Sequence, residues 1–141
     1  MPRSRSHRYL NLAALLAIAV LPVLTASPAL AEKIANPIAE FTGLDKITGR
    51  IIRFDVLIDE TVQFGALQVT PRICYSRPPT EAPRTTAFVE VDEVTLEANI
   101  KRIFTGWMLA ASPGLNAVEH AVYDVWLTNC KTTSEELNIG N

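Results

Sequence analysis

From Lys46 onward, apolar and polar side chains alternate in short runs that turn residues separate. Ile47–Ile52 leads into a run in which Phe54, Val56 and Ile58 share one side of a two-residue repeat, with Asp55 and Asp59 on the other. Asp59-Glu60 turns into Thr61–Phe64, and Gly65 punctuates again. Leu67, Val69, Ile73 and Tyr75 then alternate with Gln68, Thr70, Arg72 and Cys74. Pro71 has no amide hydrogen to give a ladder, so this strand is expected at an edge or with a bulge. Thr85–Val91, Ile100–Trp107 and Ala121–Cys130 complete the set. Six or seven short strands at turn-separated intervals predict a mostly β fold, a small antiparallel β-sandwich or a barrel-like domain over residues 44–131.

Three stretches depart from this pattern. Residues 32–43 read as a flexible leader, because Pro37 blocks regular structure. Arg77-Pro78-Pro79-Thr80-Glu81-Ala82-Pro83-Arg84 reads as an extended, polyproline-like surface loop. Across residues 112–120, Ser112 fits a helix N-cap and Pro113 the first helical position, which predicts one short helical segment. Residues 132–141 form a polar, disordered tail in this reading.

The N-terminus has a different character. Arg3, Arg5 and Arg8 precede Leu12–Ala26, a 15-residue run without charge, and Ala29-Leu30-Ala31 closes the segment with a small-x-small pattern. A basic head, a short apolar centre and a small-residue cleavage site predict a signal peptide over 1–31, cut after Ala31. A spanning anchor needs ~20 apolar residues, and Pro22 interrupts this run. Removing residues 1–31 changes the charge balance. The whole chain of 141 residues carries 13 basic and 15 acidic side chains, but residues 32–141 keep all the acids and lose three arginines, for a formal charge of −5. Nucleic acid is an improbable partner for such a domain, and no apolar span for a membrane remains.

Export takes Cys74 and Cys130 to an oxidising compartment, where the two cysteines allow one intramolecular bridge. Redox chemistry usually uses closely spaced cysteines, and these lie 56 positions apart. A structural disulfide is the expectation.

The candidate sites are few. Arg72, Arg77, Pro78, Pro79 and Arg84 outline a partner-docking loop, stiff in backbone and with guanidinium groups that suit carboxylates or phosphates. The plainer reading is a solvated loop whose arginines pair with Glu81. Trp107, Tyr123 and Trp126, with Tyr75, would stack on a ligand or fill the core. On the last strand Trp126 shares parity with Asp124 and Cys130, opposite Tyr123, Val125 and Leu127. His120 is the only histidine after the signal segment. With Ser112 and Asp124 it would make a nucleophile, base and orienter, yet no strained turn presents Ser112 and no ligand-spaced cluster surrounds His120. The acidic stretch Glu90, Asp92, Glu93 and Glu97 lacks a calcium-loop pattern. No metal, cofactor or catalytic residue is expected.

Several motifs together resemble a known family. They are Leu44-Asp45-Lys46-Ile47-Thr48, Phe64-Gly65-x-Leu67-x-Val69, Cys74-Tyr75-Ser76-Arg77-Pro78-Pro79, Phe104-x-Gly106-Trp107-Met108, Ser112–His120, and Tyr123-Asp124-Val125-Trp126 with Cys130. In these the chain is similar to domain-of-unknown-function family 2155, small exported proteins of Gram-negative bacteria. The likeness runs from about Leu44 to Lys131. It implies a periplasmic location and a pair of cysteines, and it brings no activity or catalytic residue. The expected function is that of a periplasmic, non-enzymatic envelope protein that binds another periplasmic or envelope protein or has a structural role. A glycan- or small-ligand-binding module is the alternative, and a hydrolase using His120 ranks last.

Overall fold

The computed structural model describes residues 31–133. The expected signal segment before Ala31 and the tail beyond Thr133 lie outside the described residues. Eight strands follow in order among the described residues: β1 (Ile34–Ala35), β2 (Ile38–Asp45), β3 (Arg50–Leu57), β4 (Val62–Phe64), β5 (Leu67–Ser76), β6 (Thr86–Val94), β7 (Ile100–Leu109) and β8 (Tyr123–Lys131). One sheet runs β1-β5-β6-β7, with β4 also paired to β5; the other runs β3-β2-β8. Every pairing is antiparallel. The sheets face each other as a sandwich, not a closed barrel. Between them lie Phe41, Val56, Leu67, Val69, Val89, Val91, Phe104, Met108, Val125 and Leu127, all buried.

The leader expected over 32–43 is instead partly structural. Ile38 to Gly43 are buried in β2, the central strand of the smaller sheet. Its inward residues include Ala39, Phe41 and Gly43, and the small side chains at two of the three hide the strand's alternation. The glycine is needed there: a Cβ at Gly43 would lie 2.7 Å from Phe64 Cζ. Pro37 stands just before β2, where its carbonyl accepts from Ile58 N at 2.9 Å.

The short helix expected over 112–120 is absent; the described residues contain no helix, and so none long and apolar enough to cross a membrane. Turns replace it, with Ser112 N donating to Leu109 O at 3.1 Å and Leu115 N to Ser112 O at 3.0 Å. A helix is held mainly by burying an apolar stripe. Here Val118 is buried but Leu115 is 73% exposed, so no stripe exists.

Bulges set which side chains face inward. β5 is an interior strand, yet it contains Pro71, and the pairing with β6 slips between Pro71 and Ile73. Arg72 is stepped over. Leu67, Val69 and Pro71 face the core before the slip, and Cys74 faces it afterwards, fully buried. In β8 the pairing with β2 passes from Asn129 to Leu127 and skips Thr128. Leu127 and Cys130 therefore both point inward. The expected bridge is present: Cys74 and Cys130 are bonded across the two sheets, with their Cα atoms 5.7 Å apart.

Candidate functional site

The slip at Arg72 that turns Cys74 inward also turns Tyr75 outward, where simple alternation puts Tyr75 with Leu67 and Val69. On the outer face of the larger sheet Tyr75 joins Phe88 of β6 and Trp107 of β7; the register pairs Ile73, Phe88 and Trp107 in one row and Tyr75, Thr86 and Leu109 in the next. The Tyr75 and Trp107 rings are nearly parallel, 16° apart, with centroids separated by 6.2 Å. Phe88 meets Trp107 edge-on at 5.5 Å. Trp107 remains 42% exposed, a large value for an aromatic ring in a small sandwich.

Tyr75 and Trp107 line a cleft of about 740 Å³. Leu109, Pro83 and Ala111 extend its apolar surface, and Thr85, Thr86 and Ser112 line it with Ser76, whose Oγ accepts from Asn36 Nδ2 at 2.9 Å. Lys33, Arg77 and Arg84 give the lining three cations, and no acidic side chain lines it. The Lys33 ammonium sits 5.5 Å from the centre of the Tyr75 ring, within cation–π range.

The docking loop is less extended than its prolines suggest. Glu81 N donates to Pro78 O at 3.0 Å, which closes a turn. Arg77 is only 12% exposed, pairs with Glu81 at 3.6 Å and donates to Glu32 O at 3.3 Å. Its guanidinium therefore holds the loop to the N-terminal segment. Pro79 and Arg84 are exposed and Pro78 is half-buried. Arg72 belongs elsewhere. It joins Asp59 at 3.1 Å and Glu90 at 2.8 Å, and Arg102 continues the ladder to Glu90 at 3.0 Å and to Asp92. The Arg72 hydrogen bond holds the Glu90 carboxyl below the usual carboxylate range, and the Arg102 charge adds to the effect. These pairs are solvent-exposed and lie outside the cleft.

Residues 39–130 match a family model described as an uncharacterized protein conserved in bacteria, DUF2155. The chain belongs to this family. The matched span contains β3 to β7 whole, both cysteines, Tyr75, Trp107 and Arg84 of the cleft, and most of β2 and β8. Lys33 and β1 lie before it. No curated protein and no solved structure matches the chain.

In this DUF2155 chain the remaining sequence candidates are placed apart from the cleft. Tyr123 packs edge-on against Phe64 at 5.5 Å and stacks on His120 at 5.4 Å. Trp126 pairs with Thr42 on the outer face of the smaller sheet, and the skipped Thr128 separates its parity from that of Cys130. His120 Nδ1 accepts from Val122 N and from Tyr123 N, both at 3.1 Å. That leaves the hydrogen on Nε2, which donates to Glu93 at 3.2 Å. Nδ1 thus holds a turn and Nε2 ties that turn to β6. Asp124 pairs with Lys46 at 2.9 Å instead of orienting His120, and Ser112 lines the cleft, of which His120 is not part. Among the described residues no group of three His, Cys, Asp or Glu side chains is placed to hold a metal ion.

Sequence reasoning singled out Tyr75, Arg77, Arg84 and Trp107 of this lining and considered Ser112 only as a cap or nucleophile, but it missed Lys33, Thr85 and Thr86. Lys33 arrives only because the two-residue β1 pairs with the end of β5, Ile34 to Ser76 and Ala35 to Tyr75. A two-residue strand has no periodicity to read.

Proposed function

We propose that this chain is an exported, periplasmic envelope protein that binds a ligand without transforming it, and that the Tyr75–Trp107 cleft is where it binds. One observation carries the reading. Two near-parallel aromatic rings, one well exposed, stand on a rigid sheet beside an open cleft with a cationic lining. Surface aromatics that pack no core are characteristic of recognition, and a sheet holds them without loss of side-chain freedom on binding. Export is supported by the basic head, apolar run and Ala29-Leu30-Ala31 pattern at the N-terminus.

The binding surface differs from the one the sequence favours. Arg77 is committed to Glu81 and Glu32, and Val125 and Leu127 of β8 are buried in the core, so neither the Arg-Pro-Pro turn nor an apolar face of β8 offers the main contact. The hydrolase reading finds no support in a His120 whose two nitrogens both hold structural bonds.

The test is complementation of a deletion strain, scored for envelope integrity under detergent stress, with N-terminal sequencing of the periplasmic protein. Sequencing is expected to begin at Glu32. Trp107→Ala, at normal protein level, is expected to fail where wild type succeeds. Full complementation by Trp107→Ala rejects the cleft, and a retained Met1 rejects export.

A further inference from the structure

Resting on the cleft as the binding site, we infer that its ligand is an acidic oligosaccharide, with a sugar ring on the exposed Trp107 indole and carboxylates at Lys33 and Arg84. The rings supply the first part of the argument. Trp107 stacks on Tyr75 with the two planes 16° apart and stays 42% exposed, and the apolar face of a pyranose ring suits such an open indole. The hydroxyl residues Thr85, Thr86 and Ser112 line the cleft, and a hydroxyl both donates and accepts, which matches sugar hydroxyls in either sense.

Charge supplies the second part. Lys33 and Arg84 line the cleft without an ion pair among the described residues, and the lining has no carboxylate of its own. In a domain of formal charge −5 over residues 32–141, a local surplus of cations selects for an anion. Arg84 offers the planar fork that a carboxylate accepts in two bonds.

The backbone supplies the third part, because it disfavours an extended peptide. Peptides that dock on sheets usually add a strand and bond to a free edge. Tyr75 lies between β1 and β6, Ser76 pairs with β1, and the Trp107 carbonyl on the β7 edge already accepts from Asn116 Nδ2 at 2.9 Å. A saccharide needs none of these main-chain groups.

The experiment is an NMR titration of the oxidised chain from residue 32 to 141, following the two indole N–H signals. Trp126, on the outer face of the other sheet, is the internal control. The probes are hexamers of galacturonate and of mannuronate, the methyl-esterified galacturonate hexamer, hexaglutamate and a proline-rich peptide. At least one uronate hexamer is expected to shift Trp107 saturably and leave Trp126 still. Esterification, or Lys33→Ala with Arg84→Ala, is expected to weaken binding by about tenfold or more, as the loss of charge-assisted bonds requires. Trp107→Ala should abolish binding while Trp107→Phe keeps part of it, which separates loss of the platform from loss of the fold. No saturable shift with either uronate, or equal binding of the ester, overturns the inference. Binding of hexaglutamate or the proline-rich peptide in place of the sugars also overturns it, but leaves the cleft as a binding site. Only the complementation result with Trp107→Ala decides that broader reading.

Discussion

Cys130 reaches Cys74 across the sandwich because each lies just past a skipped residue, Thr128 on β8 and Arg72 on β5. Both slips are needed, since each resets the inward parity of its strand. The bridge closes a loop of 56 positions, for which the chain-entropy model gives about 4 kcal/mol at 25 °C. A domain of this size has a total stability of about 5–10 kcal/mol. Urea unfolding of the Cys74→Ser/Cys130→Ser double variant is therefore expected to show a loss of roughly 2–4 kcal/mol, or no cooperative transition at 37 °C. An unchanged midpoint would remove the bridge from any account of the stability.

Gly65 is a second fixed point. Its φ of 57° lies in the left-handed region, and a Cβ there would run into the ring of Tyr123. Backbone strain of about 1 kcal/mol then adds to displacement of a ring that packs on Phe64 and His120. Gly65→Ala is expected to lower stability by about 2 kcal/mol or more, measured by denaturant unfolding. Gly49, also at positive φ but with open space around its Cβ position, should lose only about 1 kcal/mol as alanine.

His120 is expected to matter for folding and not for binding. Its Nδ1 accepts two backbone N–H groups, and removal of the ring leaves both without that partner in a partly buried turn. His120→Ala should cost about 1–3 kcal/mol in urea unfolding. An asparagine oxygen occupies roughly the place of Nδ1, so His120→Asn should recover part of the loss. Neither variant should change the Trp107 indole signal in the titration, since His120 does not line the cleft. A changed ligand affinity in stable His120→Asn would contradict this assignment.

The sandwich is legible in the alternating runs from Arg50 onward, and the cysteine pair in the export signal and the spacing. β2 is not, because Ala39 and Gly43 take inward positions where a large apolar residue would have shown the period; Phe64 fills the space that Gly43 leaves. The faces of Tyr75 and Trp126 are not legible either. Each stands on a strand with a slip, and the slip follows from pairing with a neighbouring strand, which one strand's sequence does not encode. Ser112-Pro113 carries a helix start, but tertiary contacts decide otherwise: Asn116 bonds to Trp107 O and His120 to its own turn. Trp107 and Tyr75 could both be named as ligand candidates from the chain, whereas their meeting on one face depends on a bulge and the arrival of Lys33 on a two-residue strand.

The Lys131 ammonium lies 2.6 Å from Glu40 Oε2 and 3.1 Å from Asp55 Oδ1, joining all three strands of the smaller sheet. Arg53, on the same sheet, stands 3.9 Å from Glu40. The hydrogen bond to Glu40 raises the Lys131 pKa above the ordinary lysine range, against a smaller opposing effect of burial, and the bond and charge of Asp55 raise it further. A raised folded pKa means that the ammonium stabilises the fold fully below the unfolded lysine value of about 10.4, and that this contribution is lost as pH rises through the folded value. Lys131→Met leaves the Glu40 side chain, 10% exposed, with only the distant and exposed Arg53. Its cost is expected at about 1–3 kcal/mol at neutral pH. The difference in urea stability between wild type and Lys131→Met should stay level from pH 7 to about 10 and shrink above about 10.4, while other titrating groups cancel between the two proteins. A difference that stays level to pH 12, or that grows with alkalinity, would place the stabilisation in the aliphatic stem of Lys131 and not in its charge.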